Sequence, residues 1–102
     1  MGGTIMVTIH RPEGITAAAF LQKLQHDVFP AIHKGPTRMG EIGSWTLLSE
    51  ADKGETSKYV WLINWGGLEG AGDTMAAEAL VKLRGLGATV HETHYSAVDQ
   101  ST

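Results

Sequence analysis

Four segments of the chain have the residue pattern of β-strands. In residues 4–10, Ile5, Val7 and Ile9 alternate with more polar or flexible neighbours, which is typical of a strand with one buried face. The other three strand-like segments are residues 42–49, 58–65 and 88–98. Residues 58–65 are apolar on both faces, as expected for a strand inside a sheet. The last segment is more polar, which favours a sheet edge or the wall of a wet cavity.

The first of two helical segments follows Thr16, a residue type favoured at helix N-caps. Its apolar residues recur at steps of three and four, which predicts one buried stripe. The stripe consists of Phe20, Leu21, Leu24, Val28 and Ile32. Pro30 interrupts this pattern, and it predicts a kink or a loose last turn before Gly35 and Pro36 end the helix.

The second helical segment follows a glycine-rich stretch, residues 66–72, which indicates a mobile loop. Asp73 or Thr74 is the expected N-cap, and Gly85 and Gly87 are expected to end the helix. Its buried stripe is predicted to consist of Met75, Ala79, Leu80 and Leu83. The glycine stretch lacks both the G-x-G-x-x-G spacing and the G-K-[ST] ending of phosphate-binding loops. An ordinary loop, or a lid over a pocket, is the better interpretation.

The order of these segments predicts a single α+β domain of the βαββαβ type over residues 1–102. Two helical crossovers would place strands one and four next to each other, beside a central pair, in a four-stranded antiparallel sheet with both helices on one face. The other face then carries Met6, Val60 and Leu62 without a helix layer to cover them. Two sheets packed face to face would bury these side chains, so we expect a homodimer.

Composition narrows the classes of partner. The 102-residue chain has a net charge of −3, and its eight Lys and Arg residues are scattered, which argues against nucleic-acid binding. It has no cysteine, so disulfides and thiolate metal sites are excluded. No apolar run approaches the roughly 20 residues of a membrane span, and no signal-peptide pattern is present. We therefore expect a cytoplasmic protein that contacts neither nucleic acid nor membrane.

With this order of segments, the residues resemble the dimeric α+β-barrel superfamily, and within it the antibiotic-biosynthesis-monooxygenase-like domains. The resemblance runs from Ile5 to Val98, and Trp65 at the end of the third strand is its closest single match. It rests on the stretches IMVTIHRPEG, FLQKLQ and GEIGSWTLLSEADKGETSKYVWLINW, followed by a late helix and a final strand. It implies a ferredoxin-like fold that dimerises into a barrel, with a pocket between sheet and helices.

The superfamily contains several activities, so the fold alone does not choose among them. They include cofactor-free oxygenases, haem-degrading enzymes, lactone isomerases and haem-dependent peroxidases. Haem-degrading members carry an Asn on the first strand, a Trp at the end of the third and a His on the second helix. Trp65 matches the second position, but residues 4–10 contain no Asn and residues 74–84 contain no His. The resemblance therefore disfavours haem degradation.

The histidines on the predicted strands, His10, His91 and His94, are the candidate catalytic residues. If strands one and four are neighbours, His10 lies close to His91 or His94, and a pair of imidazoles can act as general base and hydrogen-bond donor. The spacing of three places His91 and His94 on opposite faces of a strand, so we expect no metal site. Glu92, between them, is the one carboxylate worth mutating. The alternative is that all three histidines are exposed or structural.

A flat aromatic slot is the candidate binding site. Trp45, Trp61 and Trp65 cluster on the predicted hairpin, and Asn64 and Tyr95 would supply polar contacts to a planar ligand. The alternative is that the three indole rings fill the core.

Three hypotheses for function follow. The first is a cofactor-independent enzyme of the monooxygenase or isomerase type, acting as a homodimer on an aromatic or polyketide-like small molecule. The second is a non-catalytic homodimer that binds a ligand or a partner, and it would be favoured by a cavity filled with Trp rings and by exposed histidines. The third is a haem-binding protein.

Overall fold

The computed structural model describes residues 2–32, 40–50, 57–68 and 70–97. The elements are β1 (Gly2–His10), α1 (Ala17–Lys23), β2 (Gly40–Ser49), β3 (Lys58–Gly67), α2 (Ala71–Gly85) and β4 (Thr89–Ser96). All strand pairs are antiparallel. The predicted ferredoxin-like α+β fold, with one four-stranded sheet, is therefore confirmed.

The sheet has the strand order β2-β3-β1-β4. The predicted internal position of β3 and the predicted edge position of β4 beside β1 are both confirmed. The expectation that the first strand lies outside the central pair is wrong, because β1 and β3 are themselves that pair. The crossover through α1 leaves room for one strand between β1 and β2, and β3 fills it.

The core lies between the sheet and the helices. Ile5, Val7 and Ile9 of β1 are fully buried there, while the residues between them face the other side of the sheet, as strand alternation requires. The helix stripes are also buried, with the exception of Leu21, which is 37% exposed. The buried stripe residues are Phe20, Leu24, Val28 and Ile32 of the first helical segment, and Met75, Ala79, Leu80 and Leu83 of α2.

Both ends of the first helical segment follow from its sequence. Thr16 is the N-cap, and its side chain accepts a hydrogen bond from the Ala19 backbone N–H at 3.2 Å. After α1 the helix widens into a π turn at Leu24–Val28 and then tightens into a 3₁₀ turn at Phe29–Ala31. Pro30 has no N–H to continue the α-helical ladder, so the predicted loose last turn is confirmed.

The glycine-rich stretch is not the loop that its composition indicates. Gly66 and Gly67 belong to β3, and α2 begins at Ala71, where Gly70 is the N-cap with a φ of 84°. Neither Asp73 nor Thr74 is the cap, because the helix already includes both. An earlier start is possible because residue 72 is a glycine: a Cβ there would lie 2.4 Å from Cδ1 of Trp65.

A β-bulge in β2 determines which of its side chains face the core. The register shifts between Ile42 and Ser44, so that Ile42 and Trp45, three residues apart, both point towards the helices. Without the extra residue Gly43 they would lie on opposite faces. Beyond the bulge, Ser44, Thr46 and Leu48 alternate onto the other face of the sheet.

Some sequence predictions lie outside the described residues: the loop at 51–56, Gly35 and Pro36 at the end of the first helical segment, and Val98 at the end of the last strand. Within the part of the chain that the structure describes, no helix is long and apolar enough to cross a membrane.

Candidate functional site

The sheet face opposite the helices carries the most distinctive surface of the molecule, and we call it the open face. At its centre are Met6, Val60 and Leu62, which are half-buried, and Leu48, which is 46% exposed. These four side chains form the apolar patch. They line a groove of about 480 Å³ that also reaches Lys58. No described helix lies over this patch, as predicted from the sequence.

A second, smaller depression lies at the end of the sheet away from the β2–β3 hairpin, and we call it the polar pocket. Its volume is about 240 Å³. The residues that line it are Gly3, Thr4, Asn64, Trp65, Tyr95, Ser96 and Ala97. Three of the five residues predicted to bind substrate, Asn64, Trp65 and Tyr95, therefore meet at one pocket.

Cross-strand hydrogen bonds fix the polar groups of this pocket. Thr4 pairs with both Asn64 and Tyr95 in the strand register. Its hydroxyl donates to Oδ1 of Asn64 at 2.8 Å, and Nδ2 of Asn64 donates to the Ser44 hydroxyl at 3.1 Å. A carboxamide has two N–H groups and two acceptor lone pairs. Asn64 is thus held in position, and its side chain can still donate one hydrogen bond and accept another.

The other two predicted binding residues, Trp45 and Trp61, lie on the helix side of the sheet and do not reach this pocket. Their rings form an aromatic cluster with Phe29, whose centroid is 4.4 Å from that of Trp45 and 5.2 Å from that of Trp61. Trp61 is fully buried. The predicted single aromatic slot is therefore wrong, because strand alternation puts Trp61 on the face opposite Asn64 and the β-bulge puts Trp45 on that face as well. Core packing is the role of Trp45 and Trp61.

The indole N–H of Trp61 is an unusual feature of this cluster. It is buried and has no hydrogen-bond partner. A buried donor without an acceptor costs roughly 1–3 kcal/mol relative to a satisfied one. The burial of its rings therefore stabilises the fold, while the unpartnered indole N–H of Trp61 reduces that stabilisation.

Trp65 connects the core to the polar pocket. Its ring lies on the helix side between two glycines: a Cβ on Gly72 would be 2.4 Å from Cδ1, and a Cβ on Gly3 would be 3.2 Å from Cζ2. The approach at Gly72 requires the absence of a side chain, and the one at Gly3 is tighter than ordinary van der Waals contact. Because Trp65 also lines the pocket, the packing at α2 fixes one wall of it.

The three candidate histidines are divided between the faces of the sheet. His10 and His91 are exposed on the open face, where His91 pairs with Thr8 and is the diagonal neighbour of His10. Diagonal neighbours lie about 7–8 Å apart, so these two imidazoles can act together. His94 pairs with Ile5 and therefore faces the helix side. A single catalytic group of all three histidines is excluded, because the sheet lies between them.

His94 belongs instead to a charged cluster that joins β4 to α2. Its Nδ1 lies 3.1 Å from Oδ1 of Asp73, and its Nε2 lies 3.7 Å from Oε1 of Glu92. Arg84, in the last turn of α2, donates to Oε2 of Glu92 at 2.5 Å. The side chains of His94 and Asp73 are 45% and 65% exposed, so water competes for this contact. An ion pair at the surface, such as that of Arg84 with Glu92, contributes about 0–1 kcal/mol. The cluster therefore adds little to the stability of the fold.

Two further histidines follow Thr16 in the sequence. His26 is exposed on the first helical segment, and His33 lies outside the described residues. Among the described residues, no group of three His, Asp or Glu side chains could hold a metal ion. In the charged cluster, Asp73 and Glu92 contact different nitrogens of the His94 ring.

Sequence reasoning missed several members of these sites. Thr4 and Ser44 were not identified, although alternation places each on the face that carries Asn64. Asp73 and Arg84 could not be paired with β4 from the sequence, because that contact depends on how α2 packs across the sheet.

Comparisons with known proteins do not extend this picture: no family model, no curated protein and no solved structure matches the chain.

Proposed function

We propose that this chain is a homodimeric domain that binds a small aromatic molecule on the open face of its sheet. The observation that carries the proposal is the convergence of Asn64, Trp65 and Tyr95 at the polar pocket, beside an apolar patch that no described element covers. The exposed histidines and the ring-packed core favour binding over a catalytic role for the three histidines together.

The dimer follows from the apolar patch. Its four side chains are aliphatic and lie next to one another on two central strands and one edge strand. Exposed contiguous apolar surface on a sheet commonly marks an association surface. A second copy offers the same patch, so a face-to-face pairing is self-complementary.

The chemistry of the ligand follows from the pocket walls. The Tyr95 side chain is 52% exposed and offers a ring for stacking and a hydroxyl for hydrogen bonding. Asn64 offers one further donor and one further acceptor. A volume of about 240 Å³ suits a molecule of one to three fused rings that carries a hydroxyl or carbonyl group.

Replacing Asn64 with leucine is expected to weaken the binding of 1-naphthol about tenfold, since a neutral hydrogen bond contributes about 0.5–1.5 kcal/mol and tenfold corresponds to about 1.4 kcal/mol. Tyr95→Phe removes only the hydroxyl and is expected to weaken binding by less. Titration followed by NMR chemical shifts of the β1 and β4 amides measures both effects.

The matched control is Gln22→Leu, the same amide-to-leucine change at an exposed position of α1. It is expected to leave the affinity unchanged. Equal binding by wild type, Asn64→Leu and Tyr95→Phe would show that 1-naphthol binds elsewhere.

A cofactor-independent oxygenase is a second candidate, favoured by the diagonal pair of His10 and His91 on the open face. The pair lies four to six residues along the strands from the polar pocket, so its substrate would bind beside the histidines and not in that pocket. For a hydroxyarene the balanced reaction is ArH–OH plus O₂ giving a quinone and water, so the substrate supplies all four electrons. One imidazole would remove the hydroxyl proton and the other would hydrogen-bond to the resulting oxyanion. Oxygen consumption with 1-naphthol that disappears in His10→Gln/His91→Gln would support catalysis. Binding without oxygen consumption favours the binding function.

Haem binding has less support from the structure. The described histidines, His10, His26, His91 and His94, are exposed, and none lies in the aromatic cluster between sheet and helices. Haem binding would become the best-supported function if hemin titration gave a Soret shift that is lost when one histidine is replaced.

A further inference from the structure

We infer that the polar pocket selects a neutral aromatic heterocycle with a hydrogen-bond donor and an acceptor side by side on one edge, as in a lactam. Asn64 is the residue that recognises this edge. The inference rests on the ligand pocket of the proposed function and does not depend on the homodimer. It deepens the proposal by naming the chemical class of the ligand.

The carboxamide of Asn64 belongs to a row of side chains that crosses the whole sheet. Asn64 pairs with Ser44 of β2 and with Thr4 of β1. Thr4 in turn pairs with Tyr95 of β4. The two hydroxyl groups that bond to Asn64 therefore lie on the strands on either side of it. Because serine and threonine side chains are short, both hydroxyls contact the carboxamide from its flanks, close to the sheet.

The edge of the carboxamide that points away from the sheet, which we call the outer edge, has no partner among the described residues. Thr4 occupies one lone pair of Oδ1, and Ser44 accepts one N–H of Nδ2. The second lone pair and the second N–H lie next to each other at the end of the planar amide. Since both hydroxyls can donate and accept, exchanging the O and N atoms of Asn64 leaves the same pair. Asn64 is exposed, so a ligand can reach this edge.

A ligand with a donor next to an acceptor satisfies both groups of the outer edge at once. A lactam offers its C=O to Nδ2 and its N–H to Oδ1, and asparagine recognises adenine in DNA through a similar pair of bonds. A single hydroxyl oxygen cannot align with both groups at good angles. One group would then stay unpaired beneath a ligand that excludes water, which is unfavourable. The outer edge therefore favours a lactam over a phenol.

The charges around the pocket favour a neutral ligand. Of the described residues that line it, none carries a charge. Glu41 lies at the same end of the sheet, where it pairs with Gly66, two residues beyond Asn64 on β3. Its neighbour Ile42 packs into the core, so alternation places Glu41 on the open face, where its carboxylate repels an anion. An ion would also lose water without gaining an opposite charge from the pocket walls.

The aromatic character of the ligand follows from the other walls of the pocket. Tyr95 lies two strands away from Asn64, about 10 Å at the usual strand spacing, and the shorter side chain of Thr4 forms the floor between them. The ring of Trp65 lines the same pocket. Aromatic side chains pack favourably against planar rings. The hydrocarbon part of the ligand therefore contacts these rings while its polar edge meets Asn64.

The test compares 1-isoquinolone with its N-methyl derivative, which keeps the rings and the carbonyl but has a methyl group in place of the N–H. Titration followed by the NMR chemical shifts of the β1 and β4 amides measures both affinities. Wild type is expected to bind 1-isoquinolone about tenfold more tightly, as expected for the loss of one hydrogen bond. Asn64→Leu is expected to bind both compounds equally. Gln22→Leu, the control at an exposed position, is expected to keep the preference.

Asn64→Asp tests the outer edge even if Asn64→Leu fails to fold. A carboxylate accepts hydrogen bonds but does not donate them, so it matches a ligand edge with two donors. Protonated 1-aminoisoquinoline has such an edge at mildly acidic pH. The Asp variant is expected to prefer this compound to 1-isoquinolone, whereas wild type is expected to prefer 1-isoquinolone. A purely structural role of Asn64 would not exchange these preferences, and circular dichroism verifies that each variant is folded.

Each contrary result identifies what has failed. Equal affinity of wild type for 1-isoquinolone and its N-methyl derivative overturns recognition by the outer edge and leaves the ligand pocket of the proposed function in place. A preference that persists in folded Asn64→Leu, or that is not exchanged in folded Asn64→Asp, does the same. If neither 1-isoquinolone nor 1-naphthol shifts the amides near Thr4 and Tyr95, the proposed pocket itself is wrong.

Discussion

Replacing Trp61 with alanine is expected to lower the free energy of unfolding by about 3–5 kcal/mol, since a fully buried aromatic ring is lost and a cavity remains. Trp61 has no exposed surface and lies between Phe29 and Trp45, with its ring centroid 5.8 Å from that of Trp45. Trp61→Phe is expected to cost only about 1 kcal/mol, because it also removes the buried indole N–H that has no acceptor.

Urea unfolding followed by circular dichroism measures both changes, since the signal does not depend on the tryptophan. Protein concentration must be equal in all samples, because dissociation of the proposed dimer would contribute to the measured stability. Trp45→Phe is the matched control. It makes the same change on a half-buried ring and leaves the indole of Trp61 in place. Equal losses for Trp61→Ala and Trp61→Phe would contradict the account and would indicate that the indole N–H is hydrogen-bonded.

Replacing Gly72 with alanine is expected to lower the free energy of unfolding by about 1–3 kcal/mol, the usual cost of overpacking. The new Cβ would lie 2.4 Å from Cδ1 and 2.6 Å from Cγ of Trp65, atoms near the base of a rigid side chain. The same substitution inside an exposed helix normally raises stability by about 1 kcal/mol. The expected sign is therefore opposite to helix propensity, and the displaced ring should alter the near-ultraviolet circular dichroism.

Gly85→Ala provides the matched control on the same helix. A Cβ at Gly85 meets no atom within 4 Å, so this change is expected to be neutral or stabilising. Combining Gly72→Ala with Trp65→Leu should recover part of the loss, because the smaller side chain makes room for the methyl group. A neutral Gly72→Ala, or no recovery in the double variant, would show that the ring does not pack against residue 72.

The fold can be predicted from the sequence because the patterns that indicate its strands and helices are local. Alternation in β1 and the short apolar run of β3 identify strands, and the stripes at Phe20 and Leu83 identify helices, each within a short window of sequence. The prediction of a loop at the glycine-rich stretch is wrong because the deciding contact is not local. Its glycines look like a loop, but Gly72 is small because Trp65 packs against it, and that contact is not visible in local composition.

Only part of the candidate site can be predicted from the sequence. Closeness in sequence groups Trp61, Asn64 and Trp65, although the period of two places both tryptophans on the face opposite Asn64. Trp65 nevertheless meets Asn64, because both line the pocket at the end of the sheet. The same rule placed His91 and His94 on opposite faces correctly. The contact of Asp73 with His94 depends on the packing of α2 against β4, and a pattern in one dimension does not contain that information.

The measurement that tests the central claim most directly is sedimentation equilibrium of the wild-type chain at micromolar concentration. The account predicts a mass of about twice the 10.9 kDa of one chain, falling to that of a single chain in Val60→Glu. A wild-type mass equal to one chain would leave the apolar patch of Met6, Leu48, Val60 and Leu62 without the partner that the account assigns to it, and would contradict the homodimer.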